Sequence, residues 1–382
     1  MKIHTILTAV CLFLQIASFA ETKVPPSWHV YIGTYTGGES EGIYLLEMDT
    51  TTGALTPRNL AVKIENPSFI AAHPDKPYLY SVGQGTSATG QQEGLVSAFT
   101  KDSQDGRLTL LNQQPTTGAG PCHIIVDRAG RYVLVANYGS GSVNVLPVKE
   151  DGTLEGVCDY KQHAGASVNP QRQEGPHAHS VTLDPSGSFL FAADLGLDKI
   201  MIYRYDEVSG CLEANNPSFA DLPPGAGPRH FAFHPSGNFA YVVNELNNTV
   251  TVFSYDPAKG RLNPVQTLGT LPDTFTGNNT TAEIRVHPSG RFVYASNRGH
   301  DSIACFSVEE STGRLNCLGQ TPTGGKVPRN FNISPDGRFL LAANQESSTL
   351  VVFPIDTNTG VPGEASSSAD VPAPVCILFG AL

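Results

Sequence analysis

The sequence lacks helical periodicity. No window places apolar residues at i, i+3, i+4 and i+7 over the length of a helix, which argues against an α or α/β architecture. It also lacks the short motifs that announce common chemistries. There is no G-x-S-x-G nucleophile elbow, no H-E-x-x-H, no phosphate-binding P-loop and no G-x-G-x-x-G dinucleotide fingerprint. Charge is sparse, at 15% of the 382 residues, and 24 basic residues face 35 acidic ones for a net charge of −11. That balance speaks against nucleic acid and anionic membrane as partners, since both attract basic stripes. It leaves room for an anionic small substrate, because a local group of arginines acts inside an acidic protein.

Cysteines are few and scattered. Beyond Cys11 they are Cys122, Cys158, Cys211, Cys305, Cys317 and Cys376, with no C-x-x-C pair to hold zinc and too few for a disulfide scaffold in so long a chain. Pairing Val308 with Leu315 across one expected hairpin sets Cys317 opposite Phe306, so Cys305 and Cys317 face opposite ways and are not expected to bond. Long apolar runs are absent except at the start. There Lys2 gives a positive leader, Ile6 to Ile16 is a short apolar core, and Ser18-Phe19-Ala20 ends in small residues. This is the pattern of a secretory signal peptide over residues 1–20, too short to span a membrane. It predicts an exported protein, periplasmic or secreted, with no membrane association after cleavage. Residues 21–382 then form one domain.

What the chain has in abundance is a repeat. A turn recurs as His73-Pro-Asp-Lys, Asp127-Arg-Ala-Gly, Asp184-Pro-Ser-Gly, His234-Pro-Ser-Gly, His287-Pro-Ser-Gly and Ser334-Pro-Asp-Gly, at intervals of 54, 57, 50, 53 and 47 residues. Each period holds four short runs rich in Val, Ile, Phe and Tyr, bounded by Gly, Pro, Asn and Asp. Four strands at such a period make a propeller blade. The second and third strands of the unit occur seven times, at 30–49, 80–100, 133–148, 190–205, 240–255, 293–308 and 340–355. The first copy lacks an inner strand, and the closing P-A-P-V-C-I-L-F-G-A-L reads as that strand. The expectation is an all-β, seven-bladed β-propeller of four antiparallel strands per blade. Its ring is closed by N- and C-terminal strands sharing one blade, which points to a monomer.

Antiparallel strands reverse direction, so alternate connections fall on opposite faces of the ring. The H-P-S-G turns belong to one face. The tops of the innermost strands and the loops between second and third strands belong to the other. Two rings of aligned positions follow. The first is Ser68, Cys122, His179, Arg229, Ala282, Arg329 and Val375; the second is Tyr35, Gln84, Tyr138, Leu195, Glu245, Arg298 and Gln345. His179, Arg229, Glu245, Arg298 and Arg329 break the repeat with ionisable groups on that face, and a site is expected there. His123 and His230 share a repeat position; each either lines the channel or bonds backbone. His73, His234 and His287 recur at tight turns where Asp and Ser substitute, and read as turn-forming hydrogen-bond groups. His177-x-His179 offers two ligands on one strand face but no clear third, so neither a metal nor another cofactor is expected. Arg229 and Glu245 could equally be a structural salt bridge pinning two loops.

The stretches G-A-G-P-R-H, V-N-E-L-N, S-N-R-G-H-D-S-I, V-P-R-N-F-N-I-S-P-D-G and Y-I-G-T-Y-T together resemble the seven-bladed propeller lactonase family. That family includes bacterial 6-phosphogluconolactonases and the fungal carboxy-cis,cis-muconate cyclase. The resemblance covers the whole mature chain. It implies lactone hydrolysis at a channel mouth, with catalytic residues carried onto His179, Arg229, Glu245 and Arg285, and His177 beside them. Arg285 matches Ala232 in the internal alignment and lies one pleat deeper than the ring, so Arg298 competes for its role. His123, His230 and Arg329 join as substrate-binding candidates. The expected substrate is a small, anionic sugar lactone, hydrolysed without a metal by Glu245 or a neutral His179 as base and arginines as anion and oxyanion holders. Two alternatives use the same face: a muconate-type lactonising cycloisomerase, and a non-catalytic propeller that binds a ligand or protein. An exported chain does not meet the cytoplasmic sugar phosphate, which favours a lactone outside the cytoplasm.

Overall fold

A computed structural model describes residues 25–86 and 92–380; the expected signal peptide lies outside them. The described residues form 28 strands in seven four-stranded antiparallel sheets. Blade 1 runs from its innermost strand outward as Pro374–Gly380, Ser27–Thr34, Gly42–Asp49 and Leu55–Lys63. The innermost strands of blades 2 to 7 are Ile70–Ala72, Pro121–Val126, Ala178–Leu183, Pro228–Phe233, Thr280–Val286 and Pro328–Ile333. The chain's last strand pairs with its first, Tyr31 opposite Leu378, and this closes the ring without a covalent bond. Val308 pairs with Leu315 and Phe306 with Cys317, the register expected of the sixth blade, and Cys305 and Cys317 are both free thiols.

Burial peaks in the second and third strands of each blade and falls away at the rim. In blade 3 the second strand, Tyr132–Asn137, is buried at five of six positions, whereas the outermost strand of blade 1, Leu55–Lys63, is mostly exposed. The core therefore lies between blades rather than inside a sandwich. Phe191, Phe231, Phe253 and Tyr255 fill one such seam, and Tyr80, Val82, Phe99 and Val133 another. Apolar residues on both faces of each inner strand are what a wedge packed on two neighbours requires.

Polar bonds tie the seams on the turn face. His234 Nδ1 accepts from the Ser236 amide at 3.1 Å, and its Nε2 donates to the Gly290 carbonyl of the next blade at 2.8 Å. His287 repeats this with Ser289 and Gly337. These histidines thus shape their turns and also latch one blade to its neighbour. Gly337 sits at φ +77°, and a Cβ there would lie 2.7 Å from the His287 ring, so glycine serves both the turn and the latch. On the opposite face the recurring Asn137, Asn244, Asn297 and Asn344 are fully buried, and each donates to the far side of its own loop, as Asn244 does to Thr249 at 2.8 Å. Blade 4 replaces this asparagine with Asp194, whose Oδ1 accepts the His177, Gly196 and Leu197 amides.

Candidate active site

A β-bulge aims the first ring at the axis. In the innermost strand of blade 5, Pro228 pairs with Asn244 and His230 with Val243, so Arg229 has no place in the ladder. Cys122, His179, Arg329 and Val375 are skipped in the same way, and in blade 6 Ala282 and Glu283 together face Ser296. An unpaired residue bends the strand and re-aims its side chain. The bulges bring Cys122, His179, Arg229, Arg329 and Val375 together, with Ser68 from the segment before its strand, in a narrow neck of the central channel.

Above the neck opens a chamber of about 460 Å³. Tyr35, Gln84, Tyr138, Glu245 and Arg298 of the second ring line it, with Ser68, Cys122, His179 and Arg329 of the first. Leu195 of the second ring is instead fully buried. Glu245 lies at the centre of the charges. Its Oε2 is 3.0 Å from Arg229 Nε and 3.1 Å from Arg298 Nη2, and its Oε1 is 2.7 Å from Arg172 Nη2. Burial alone would raise the Glu245 pKa, but the guanidiniums of Arg298, Arg229 and Arg172 outweigh it and bring it to about 2. Glu245 is therefore an anion at any working pH, and a weak base while all three arginines hold it.

The arginines differ in how they are held. Arg229 also donates to the Ala282 carbonyl at 2.7 Å, and Arg298 to the Thr281 carbonyl at 2.9 Å. Burial, then the charges of Arg298 and Arg329, pull the Arg229 pKa down to about 9, which leaves it protonated at neutral pH. Arg329 lies 5.2 Å over the Tyr35 ring, and among the described residues no carboxylate comes within ion-pair distance of it. Three guanidiniums thus hold one carboxylate and a fourth, Arg329, stands beside them, an excess of three positive charges across the chamber and neck within a chain of net charge −11.

His179 is buried, and that burial, followed by the charge of Arg229, holds its pKa well below the usual imidazole value. It is a neutral ring with a lone pair facing chemistry that needs one. Its Nδ1 lies 3.9 Å from Cys122 Sγ. Burial pushes the Cys122 thiol up to about 12, so the pair does not make a thiolate nucleophile.

The other sequence candidates fall elsewhere. His177 precedes the strand, outside the chamber lining, and the bulge at His179 breaks the i, i+2 relation on which a shared face depended. Its Nδ1 donates to the Tyr138 carbonyl at 2.9 Å, its Nε2 is 3.3 Å from Glu174, and its ring stacks on Tyr138 at 4.5 Å. It supports Tyr138 and is not a partner for His179. Arg285 lines a second chamber of about 450 Å³ below the neck, with His123, His230 and Glu283. There Glu283 is 3.0 Å from His230 Nδ1 and 3.4 Å from Arg285 Nε, and it accepts from Asn330 at 2.5 Å. His230 reaches the neck as well, whereas His123 and Arg285 line the lower chamber and not the upper one. Among the described residues no group of three or more His, Cys, Asp and Glu side chains is placed to hold a metal.

Arg172 is the residue that sequence reasoning missed. It belongs to the long connection 163–176 between blades 3 and 4, which has no counterpart in the repeat. Aligning repeats selects positions that recur, so an insertion falls outside the comparison. The one available signal was its length and its lone arginine. The connection is pinned by His163 on Asp194 at 2.5 Å, Ser167 on Asp198 at 2.5 Å and Gln173 on the Leu195 carbonyl at 2.9 Å.

Residues 29–379 match the family described as Lactonase, 7-bladed beta-propeller. The chain is 44% identical over 286 residues to the 6-phosphogluconolactonase of Bacillus subtilis, covering 75% of this chain and 79% of that protein. It is 33% identical over 294 residues to the 6-phosphogluconolactonase of Formosa agariphila, covering 76% and 82%. Among solved structures, the periplasmic gluconolactonase of Pseudomonas aeruginosa superposes with a TM-score of 0.87 at 36% identity, over 93% of this chain and 99% of that one.

Proposed function

From the premise that this chain belongs to the seven-bladed β-propeller lactonase family, we propose that its upper chamber hydrolyses an anionic sugar lactone without a metal, with 6-phosphogluconolactone as a probe of that class and not as the lactone met outside the cytoplasm. The protein is a lactonase, a carboxylic ester hydrolase acting on cyclic esters. The observation that carries the finer reading is the charge of the chamber. Three arginines on a single carboxylate, with Arg329 unpaired by any described carboxylate beside them, leave an excess that a phosphate or carboxylate on the substrate neutralises.

The reaction follows from the same groups. Water adds to the lactone carbonyl, and Arg329, with no carboxylate partner among the described residues, supports the oxygen as it gains charge. Glu245, or the neutral His179 across the chamber, takes the water proton. The ring C–O bond then breaks, and the proton passes to the departing alkoxide, which becomes the product hydroxyl. Arg229 and Arg298 orient Glu245 through Oε2 and act as positioning residues. A lactone is an activated ester, so modest basicity in the acceptor suffices.

The 1–20 leader supports export, and the relative from Pseudomonas aeruginosa is named periplasmic. We read the protein as acting outside the cytoplasm and as a monomer. Intact mass of the secreted chain tests cleavage after Ala20, and light scattering on a sizing column tests the monomer. The activity test is a pH-stat assay of wild type, Glu245→Gln and His179→Asn on δ-gluconolactone and its 6-phosphate. Acceleration over the spontaneous rate, lost in both variants and greater for the phosphate, is expected. A wild type no faster than buffer on either lactone rejects the reading.

A further inference from the structure

The two oxygens of Glu245 are held in different ways. Oε2 is shared by Arg229 and Arg298, whose side chains are 3% and 11% exposed and which are also tethered to backbone carbonyls. Oε1 has one partner, Arg172 Nη2 at 2.7 Å. The Arg172 side chain is 37% exposed and comes from a surface connection rather than a strand, and among the described residues the guanidinium's one other hydrogen bond is a long one, 3.3 Å, to the Tyr138 hydroxyl. The connection is anchored at residues 163, 167 and 173, so the backbone is fixed while the arginine head stands at the chamber rim.

We propose that Arg172 is a removable cap on Glu245 Oε1, and that the anionic group of the substrate is what removes it. This rests on the lactonase reading above. A phosphate dianion, with three oxygens to share, offers the guanidinium a two-point contact even beside Arg329, whereas Glu245 offers one oxygen of a carboxylate already serving two other arginines. On transfer, Oε1 gains a free lone pair and loses the nearest of three positive charges, so its basicity rises as the substrate seats. The general base is thereby completed in the Michaelis complex. Arg229 and Arg298 keep Oε2 fixed and Oε1 aimed. A neutral lactone enters the same chamber but leaves the cap in place, so Arg172 sets the preference for charged lactones through turnover as well as binding.

The test uses a substrate split in two. Wild-type protein is assayed on δ-gluconolactone with and without inorganic phosphate, at constant ionic strength, beside Arg172→Gln and Arg172→Lys. Added phosphate should raise wild-type turnover of the neutral lactone by about fivefold or more, as expected for a base gaining about one pKa unit. Arg172→Gln should turn over the neutral lactone faster than wild type without phosphate, lose the phosphate response, and place the acid limb of kcat/KM higher in pH. Arg172→Lys, which keeps the charge, should stay slow without phosphate. Phosphate that only inhibits wild type, or a phosphate response that survives in Arg172→Gln, overturns the proposal. An equal loss on neutral and phosphorylated lactones in Arg172→Gln also overturns it while leaving the lactonase reading intact. A wild type inactive on every lactone removes that reading and this proposal with it.

Discussion

Replacing Glu245 with glutamine keeps the side-chain shape and removes the only negative charge among Arg172, Arg229 and Arg298. The three guanidiniums are then left with no carboxylate in ion-pair contact among the described residues, two of them almost fully buried. Removing one member of a buried ion pair typically costs about 3–5 kcal/mol. At about 2.1 cal/mol/K per residue, a domain of this length unfolds with an entropy near ~0.75 kcal/mol/K, so the melting temperature should fall by about 4–7 °C. The vacated position should also become an anion site. A phosphate present at about 100 times its Kd would return roughly 2.7 kcal/mol, about half or more of the loss. Thermal unfolding of Glu245→Gln in potassium chloride, and in potassium phosphate of the same ionic strength, reads both effects. A shift under about 1 °C, or equal recovery in chloride and phosphate, would refute the view that Glu245 holds together an otherwise repulsive arginine cluster.

Acid should destabilise the fold before the surface carboxylates titrate. Burial lowers the His230 pKa to about 4, so the unfolded chain binds its proton first. Stability is full above pH 6.5 and falls as pH drops toward 4, by about 3 kcal/mol from this residue. His123 and His179 shift in the same direction, and Glu283 and Glu245, both near 2, extend the loss below pH 4.5. Urea midpoints should stay level from pH 7.5 to 6.5 and decline from there to pH 5; a series flat throughout contradicts neutral buried histidines. Cys122→Ser should keep most of the lactonase activity, because the buried thiol stays protonated; abolished activity with an intact fold would restore a Cys–His nucleophile. Gly337→Ala should cost about 1–3 kcal/mol by chemical denaturation, from positive φ and the clash with the His287 ring, with kcat unchanged. A neutral effect there would deny the latch between blades 6 and 7.

The propeller was legible because its signals repeat. Turns at near-equal intervals, a first copy missing one strand and a terminal stretch supplying it are visible as pattern alone. The two faces followed from strand reversal, and this placed His179, Arg229, Glu245, Arg298 and Arg329 around one channel mouth. Repeat parity misled at the bulge. His177 and His179 share a face only on an unbroken ladder, and the skipped residue that aims His179 inward separates the two. The neck was invisible for a related reason. The internal alignment set Arg285 one pleat deeper than the ring, but that this depth, and that of His123, lies beyond a neck and in a second chamber depends on how closely the bulged side chains meet, which spacing does not encode. Glu283, beside Ala282 in the ring, went unnoticed because it falls at the repeat position that other blades fill with His230 or Asn330, one residue past the aligned ring.

The account stands most directly on where the ring-opened acid binds. A crystal structure with 6-phosphogluconate should place its anionic groups in the upper chamber against Arg329 and Arg172, with Arg172 withdrawn from Glu245 Oε1 while Arg229 and Arg298 remain on Oε2. The same ligand resting against Arg285 in the lower chamber, or an Arg172–Glu245 contact unchanged at 2.7 Å with the upper chamber filled, would contradict it.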